Sequence, residues 1–367
     1  MARRTISHIL LPALPVTLLA TGAAAQERPP AVRSLATGYA SVTYSAEPKG
    51  EFHNNFTAAI SPLLLFQVGD DILFEGEADL ELEEGATSVH VEHAQIHYLG
   101  LDRLQLTAGM LHVPFSIWHH ASWINRMPAP PLLYQDTHGG PPHDALLPIL
   151  FDVGVMARAN VPLLDGWTTS ATVWVSQGPS DEIAGHHEEG DPNAPDPVVA
   201  PLGYGANFED NNSDKMLGLQ IRTVAPSGLT VQASGFRASY DQDGTLGVYG
   251  ANLALIWTPG LHESPLFDLR GEVVLLGQEY DDGGTVETVN YGGYYVQLSR
   301  RVDGFEPIVR WSQLPQAVAA GEVVLEARRQ LAIGMNYWVR PSVPVKAAYN
   351  VEPDGTDAVF LEWSVGF

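Results

Sequence analysis

Residues 74–84 read FEGEADLELEE. Glu75, Glu77, Asp79, Glu81 and Glu83 take every second position, with Phe74, Gly76, Ala78, Leu80 and Leu82 between them. A repeat of two puts successive side chains on opposite faces of a β-strand. One face is then wholly carboxylate and the other apolar or small. A dry core would not hold such a face ionised, whereas water screens the mutual repulsion. The stretch predicts a strand with an apolar medium on one side and a wet space on the other.

A soluble antiparallel sheet with one solvated face would show the same alternation, so the rest of the chain decides. Its 367 residues are enough for a large barrel. Alternating segments of about ten residues or more recur, many separated by Gly, Pro, Asp and Asn turns, and no long helical pattern appears. Strands are expected near 36–46, 52–68, 71–83, 87–99, 103–112, 152–162, 167–177 and 213–224. They continue near 228–241, 244–258, 266–280, 286–301, 305–313, 323–340, 343–350 and 356–367. The expected fold class is all-β: a transmembrane antiparallel β-barrel of 16 strands with a long third loop folded into the lumen. Every second connection is compact, and the two long insertions, 113–151 and 178–212, fall on the opposite rim. Tyr98, Trp167, Tyr240, Trp257, Tyr280, Trp311 and Trp338 sit near expected strand ends, as interfacial girdle residues or by ordinary strand propensity.

The two ends of the chain agree with export to an outer membrane. Residues 1–25 carry Arg3 and Arg4, an apolar stretch from Ile9 to Ala20, and Ala23-Ala24-Ala25. This is the pattern of a cleaved signal peptide, leaving 26–367 as the barrel. Residues 358–367, AVFLEWSVGF, place Val359, Leu361, Trp363, Val365 and Phe367 on one face. They resemble the closing strand of outer-membrane barrels, whose terminal Phe is read by the barrel assembly machinery. After residue 25 no apolar run approaches the roughly 20 residues of a membrane helix. The chain has no cysteine, which excludes disulfides. Its net charge is −24, and the expected leader contributes two arginines and no acid. Nucleic acid is therefore excluded as a partner.

The wet face carries the candidate chemistry. On the expected barrel, Glu75, Glu77, Asp79, Glu81 and Glu83 line the lumen. The next strand, VHVEHAQIHYLG, sets His93, Gln95 and His97 on one parity and His90 and Glu92 on the other. That change of parity predicts a bulge or an extramembrane rim near Glu92. These imidazoles and carboxylates could pair across the ladder, hold a divalent ion or stay solvated. Taking the apolar parity as outward puts Arg270, Arg301, Arg310, Arg328 and Arg340 toward the lumen or its rim. An acidic wall facing an arginine wall would set a transverse field across a pore.

The segment 113–151 is too long and too apolar for a plain surface loop. Trp118, Trp123, Ile124, Leu132, Leu133, Tyr134 and Leu146 want cover. Folded into the lumen, the loop would offer His112, His119, His120, Arg126, Asp136, His138, His143 and Asp144 as constriction residues. Eight of the 13 histidines lie between 90 and 143, so this region is expected to titrate near neutral pH. The segment 178–212, rich in acid, Pro, Gly and Asn, reads as a flexible exterior loop.

The runs LQLTAGMLHVPFS (104–116) and FDVGVMARANVP (151–162) resemble the porin O/P family, the phosphate-selective porins. Gly109, Val113, Pro114 and Phe115 match the run before that family's third loop. Asp152, Gly154 and Val155 match the run after it. The resemblance implies a 16-strand barrel. Leu111 stands where the family has an aromatic and His112 where it has a lysine. With Arg126 the one arginine of the loop and no lysine there, the departure counts against anion selectivity.

These features lead to the expectation of a porin in a Gram-negative outer membrane. It would pass small hydrophilic solutes or ions by diffusion, with a preference for cations. Its surroundings would be outer-membrane lipid and lipopolysaccharide, and its assembly a homotrimer. No catalytic residue, cofactor or metal is expected, because no nucleophile stands with a base and no metal-binding spacing occurs. The alternative is a dedicated channel or binding barrel for a metal ion, a metal complex or a phosphate-like anion.

Overall fold

The computed structural model describes residues 32–47, 54–83, 86–117, 126–134, 151–162, 165–181, 198–200, 202, 212–260, 266–353 and 357–367. The strands begin with β1 (Val32–Ala46), β2 (Asn55–Val68), β3 (Ile72–Glu83), β4 (Ala86–Leu101), β5 (Leu104–His112) and β6 (Phe151–Val161). Next come β7 (Thr168–Ser176), β8 (Met216–Val224), β9 (Leu229–Ser239), β10 (Gly247–Trp257), β11 (Asp268–Asp282) and β12 (Thr285–Ser299). Last are β13 (Phe305–Leu314), β14 (Ala317–Ala319), β15 (Glu322–Leu325), β16 (Arg328–Arg340), β17 (Val343–Val351) and β18 (Ala358–Gly366). Sixteen of them form one closed barrel, antiparallel throughout, in which β1 pairs with β18. The remaining two, β14 and β15, form a separate hairpin.

Alternation decides the two faces of the wall. In β10, Tyr249, Leu253, Leu255 and Trp257 are exposed while Val248, Asn252 and Ala254 are buried. In β8, Leu217, Leu219 and Ile221 are exposed and Gln220 is buried. The outer face is thus largely apolar and the inner face mixed. One expected strand is corrected. The run 323–340 divides at residues 326–327: β15 folds back on β14 through the positive-φ turn at Ala320 and Gly321, whereas β16 pairs with β13 in the barrel wall. Ala317, Ala319 and Leu325 of that hairpin are buried against the barrel's apolar core. Tyr240 and Tyr280, read as girdle residues, are buried there too. The Tyr280 hydroxyl accepts from the Ala320 amide at 3.1 Å and donates to Glu287 Oε2 at 3.1 Å.

The barrel seam depends on a close backbone approach. The Gly38 amide donates to the Phe367 carbonyl at 3.1 Å, and the Phe367 amide returns a bond to the Gly38 carbonyl at 2.9 Å. The Thr37 hydroxyl also donates to the Phe367 carbonyl. Gly38 has φ +152°, and a Cβ there would lie 2.2 Å from the Ser61 carbonyl oxygen. Gly38→Val is therefore expected to abolish the folded, heat-modifiable band on gel electrophoresis after refolding. A variant that folds in wild-type yield would show that the seam tolerates a side chain.

Candidate functional site

The barrel interior has two unlike halves. On the side of β7 to β13, inward Trp174, Met216, Phe236, Val248, Val274, Leu276, Val289 and Leu314 form an apolar core. Val113, Phe115, Leu132, Leu133 and Tyr134 from the β5–β6 connection pack into it, with Val199 and Leu202 from the β7–β8 connection. Leu132, Leu133 and Tyr134 form a short 3₁₀ turn and are all buried. Gly293 of β12 makes room for them: a Cβ there would meet Leu133 Cδ2 at 2.4 Å. Trp118, Trp123, Ile124 and Leu146 lie outside the described residues.

Polar bonds latch the same segment to inward side chains. Gln220 Nε2 donates to the Pro114 carbonyl at 2.5 Å, and Ser234 Oγ donates to the Phe115 carbonyl at 2.5 Å. Arg126 Nε meets Glu306 Oε1 at 2.7 Å, and its Nη2 lies 3.4 Å from Asp268 Oδ2. Asn336 Nδ2 donates to the Arg126 carbonyl at 2.8 Å, and Arg310 Nη2 donates to the Pro130 carbonyl at 2.8 Å. The Tyr134 hydroxyl donates to Glu272 Oε2 at 2.5 Å. Burial and the Glu272 carboxylate hold the Tyr134 phenol well above its usual range.

The other side, among the described residues, holds an open space. A cavity of about 520 Å³ is lined by Glu75, Glu77, Glu92, His93 and His97 on one side and by Arg158 and Arg222 on another. Gln95, Gln105, Thr172, Gln220 and Gln232 add neutral polar groups. The acidic wall is built by the β3–β4 ladder, in which Glu75 lies opposite Gln95 and Glu77 opposite His93. Glu75 reaches both imidazoles: Oε1 is 3.2 Å from His93 Nε2 and Oε2 is 3.3 Å from His97 Nε2. Glu77 Oε2 is 3.7 Å from His93 Nδ1. Carboxylate and imidazole thus alternate along the wall. The ladder shifts between Glu77 and Ala78, which leaves Glu92 as the extra residue of a bulge at the position where the parity changes.

The expected site residues fall into several environments. Glu75 and Glu77 border the cavity, Asp79 is buried beside them, and Glu81 is half-buried at the next inward position. The side chain of Glu83 lies outside the described residues. Of the arginines, Arg310 is fully buried beneath Pro130 and away from any open space. Arg270 pairs with Asp268 at 2.7 Å and Arg328 with Glu352 at 3.2 Å. Arg301 sits in the β12–β13 turn, 4.9 Å over the Trp338 ring, and Arg340 is exposed at the end of β16. Asp268 on the same strand thus offsets Arg270, and Glu352 offsets Arg328. The cationic lining of the cavity is Arg158 and Arg222, and strand parity alone could have found both. His112 lines the cavity with its ring 5.3 Å from Phe151, and Arg126 holds the latch above. His119, His120, Asp136, His138, His143 and Asp144 lie outside the described residues.

The residues carrying the porin O/P resemblance have structural roles. Val113 and Phe115 are buried. Asp152 accepts from the Val153 amide at 2.8 Å and the Gly178 amide at 2.7 Å, tying the loop roots together. At Gly154, a Cβ would lie 2.2 Å from the Val175 carbonyl oxygen.

No protein-family model matches the chain, and no curated protein does. Solved structures do match. OmpF of Salmonella typhi in complex with daunomycin is 12% identical with a TM-score of 0.57, covering 91% of this chain and 97% of that one. The in-vitro folded, trimer form of OmpT from Vibrio cholerae is 12% identical with a TM-score of 0.54, covering 92% and 100%. The outer membrane channel DcaP of Acinetobacter baumannii is 11% identical with a TM-score of 0.54, covering 92% and 97%. The likeness is one of fold.

Breaking a buried ion pair from one side costs about 3 kcal/mol or more. Arg126→Ala is accordingly expected to lower the thermal unfolding temperature of the detergent-solubilised barrel, because Glu306 and Asp268 lose their partner. Unchanged melting would show that the latch does not hold the loop.

Proposed function

We propose that this chain is an outer-membrane porin that passes small hydrophilic solutes and ions by diffusion and favours cations. The observation that carries the reading is a polar, charged cavity inside a closed barrel whose outer face is apolar. An apolar outer face suits lipid, and a charged interior suits water. Three carboxylates, Glu75, Glu77 and Glu92, face the cavity against Arg158 and Arg222. Together with the acidic chain, that balance supports cation preference. The opposed signs would orient dipolar solutes across the path. In this reading the segment 113–151 is the constriction loop, 178–212 an exterior loop, and 1–25 a cleaved leader. Phe367 is the signal read by the assembly machinery, and lipopolysaccharide and phospholipid surround the wall. The oligomer is a homotrimer, in line with the trimer form of the Vibrio cholerae OmpT structure. The protein performs no catalysis. Within this class, the motifs at 109–115 and 152–155 favour the porin O/P branch.

A second reading rests on Arg158 and Arg222, which are exposed to the cavity with no carboxylate paired to either among the described residues. They would favour a phosphate-like anion. Single-channel recording of refolded protein under a salt gradient separates the two. A cation-favouring reversal potential is expected. Glu75→Gln with Glu77→Gln should weaken it, and Arg158→Gln with Arg222→Gln should strengthen it. An anion-favouring potential would establish the second reading, and absence of conductance would sink both.

A further inference from the structure

Two groups of opposite charge face one space beside the β5–β6 connection, the cavity of about 520 Å³. Arg158 on β6 and Arg222 on β8 flank the same residue of β7. Arg158 Nη2 is 3.4 Å from Ser170 Oγ, and Ser170 lies opposite Arg222 in the register. The two guanidinium groups are close enough to repel one another. Neither has a carboxylate paired to it among the described residues. Thr172, opposite Arg158, adds a hydroxyl to the same side of the cavity. Close-set guanidinium groups suit a carboxylate, which each can bind through its fork of N–H donors.

The other side is acidic. Glu75 and Glu77 contact His93, and Glu75 also contacts His97. The bulge in β4 brings Glu92 to the same cavity, within electrostatic reach of Glu77. A solute of one sign is therefore drawn to one side and opposed by the other. A solute with an ammonium group at one end and a carboxylate at the other is attracted at both.

The spacing of the two sides sets the length of that solute. Glu75 and Arg158 stand on β3 and β6, with β4 and β5 between them. At the usual strand spacing this is about 14 Å along the wall, and both side chains reach into the span. His97 and Gln105 fill the interval. Glu75 Oε2 is 3.3 Å from His97 Nε2, Gln105 Nε2 is 2.9 Å from His97 Nδ1, and Gln105 lies opposite Arg158. An α-amino acid carries both charges on one carbon and is too short to join the two sides. A peptide advances about 3.5 Å per residue, so two or three residues suit the gap. Phe151 and Met156 border the same cavity and offer apolar contact to the peptide's side chains.

We propose that the cavity binds short zwitterionic peptides, the terminal carboxylate held by Arg158 and Arg222 and the terminal ammonium by Glu75 and Glu77, with Glu92 beside them. The inference deepens the channel reading, on which it rests for the route by which a peptide enters.

Calorimetry on the refolded full-length barrel in detergent tests it, with the dipeptide alanylleucine as probe. Saturable binding is expected, and the N-acetyl form, the C-terminal amide and leucine alone should each bind about ten-fold or more weakly. These comparisons use the wild type and so do not depend on the folding of a variant. Arg158→Gln with Arg222→Gln should weaken the free dipeptide about ten-fold or more without weakening the amide. Glu75→Gln with Glu77→Gln should weaken the free dipeptide similarly without weakening the N-acetyl form. Heat-modifiable migration checks the folding of both variants. Capped forms that bind as well as the free dipeptide, or absence of saturable binding, would overturn the site. So would inorganic phosphate that binds more tightly and displaces the dipeptide, which would assign Arg158 and Arg222 to a simple anion. Single-channel conductance recorded in parallel separates the two claims. A conducting barrel that binds no dipeptide removes this inference alone, and a barrel that binds the dipeptide without conducting removes the channel reading alone.

Discussion

Everything in this protein depends on a ladder of backbone hydrogen bonds that has no end. In a wall read as lying in lipid, no water is present to pair with a free amide or carbonyl, so an open sheet edge is untenable. The pairing of β1 with β18 removes that edge. It requires a residue without a side chain at Gly38, where the Phe367 backbone arrives on one side and the Ser61 carbonyl presses on the other. Closure then forces alternation on every strand, with one parity outward and the other inward. The mixed inner face and the apolar outer face are consequences of that geometry.

The interior answers a second requirement, which is to be partly solid and partly wet. Large inward side chains such as Trp174, Phe236 and Leu314 cannot face water over one half of a wide barrel without cost. The β5–β6 connection supplies Phe115, Leu132 and Leu133 as filling, and Gly293 yields the space for them. The backbone of that filling has polar groups, and these find partners in Gln220, Ser234, Arg310 and Asn336. Side chains that look like pore lining by parity therefore serve as loop anchors. Among the described residues a cavity stays open beside this filling, with carboxylates and imidazoles of β3 and β4 on one side and guanidinium groups of β6 and β8 on another.

Charge in this barrel is managed by local pairing. Arg126, Arg270 and Arg328 each have a carboxylate within 3.4 Å, and Lys346 meets Glu362 at 2.8 Å with both groups buried. Pairs of this kind fix geometry more than they add stability, since desolvation offsets most of their attraction. Glu75, His93, Glu77 and His97 likewise pair along one wall, at 3.2 to 3.7 Å.

Much of this was legible in the chain. The period of two in FEGEADLELEE, the repeats that follow and the closing AVFLEWSVGF dictate strands, their number and their outward faces, because alternation is a local property of extended backbone. The bulge at Glu92 was legible for the same reason, as a break in parity. Which inward groups touch water was decided by tertiary structure alone. Parity places Arg310 and Arg158 alike on the inner face, yet Arg310 is sealed under Pro130 and Arg158 borders the cavity. That difference is set by where a loop lies, through contacts between residues far apart in sequence such as Arg126 and Glu306. The hairpin of β14 and β15 was hidden likewise: its strand alternation is genuine, and only the apolar core beneath it determines that it leaves the wall.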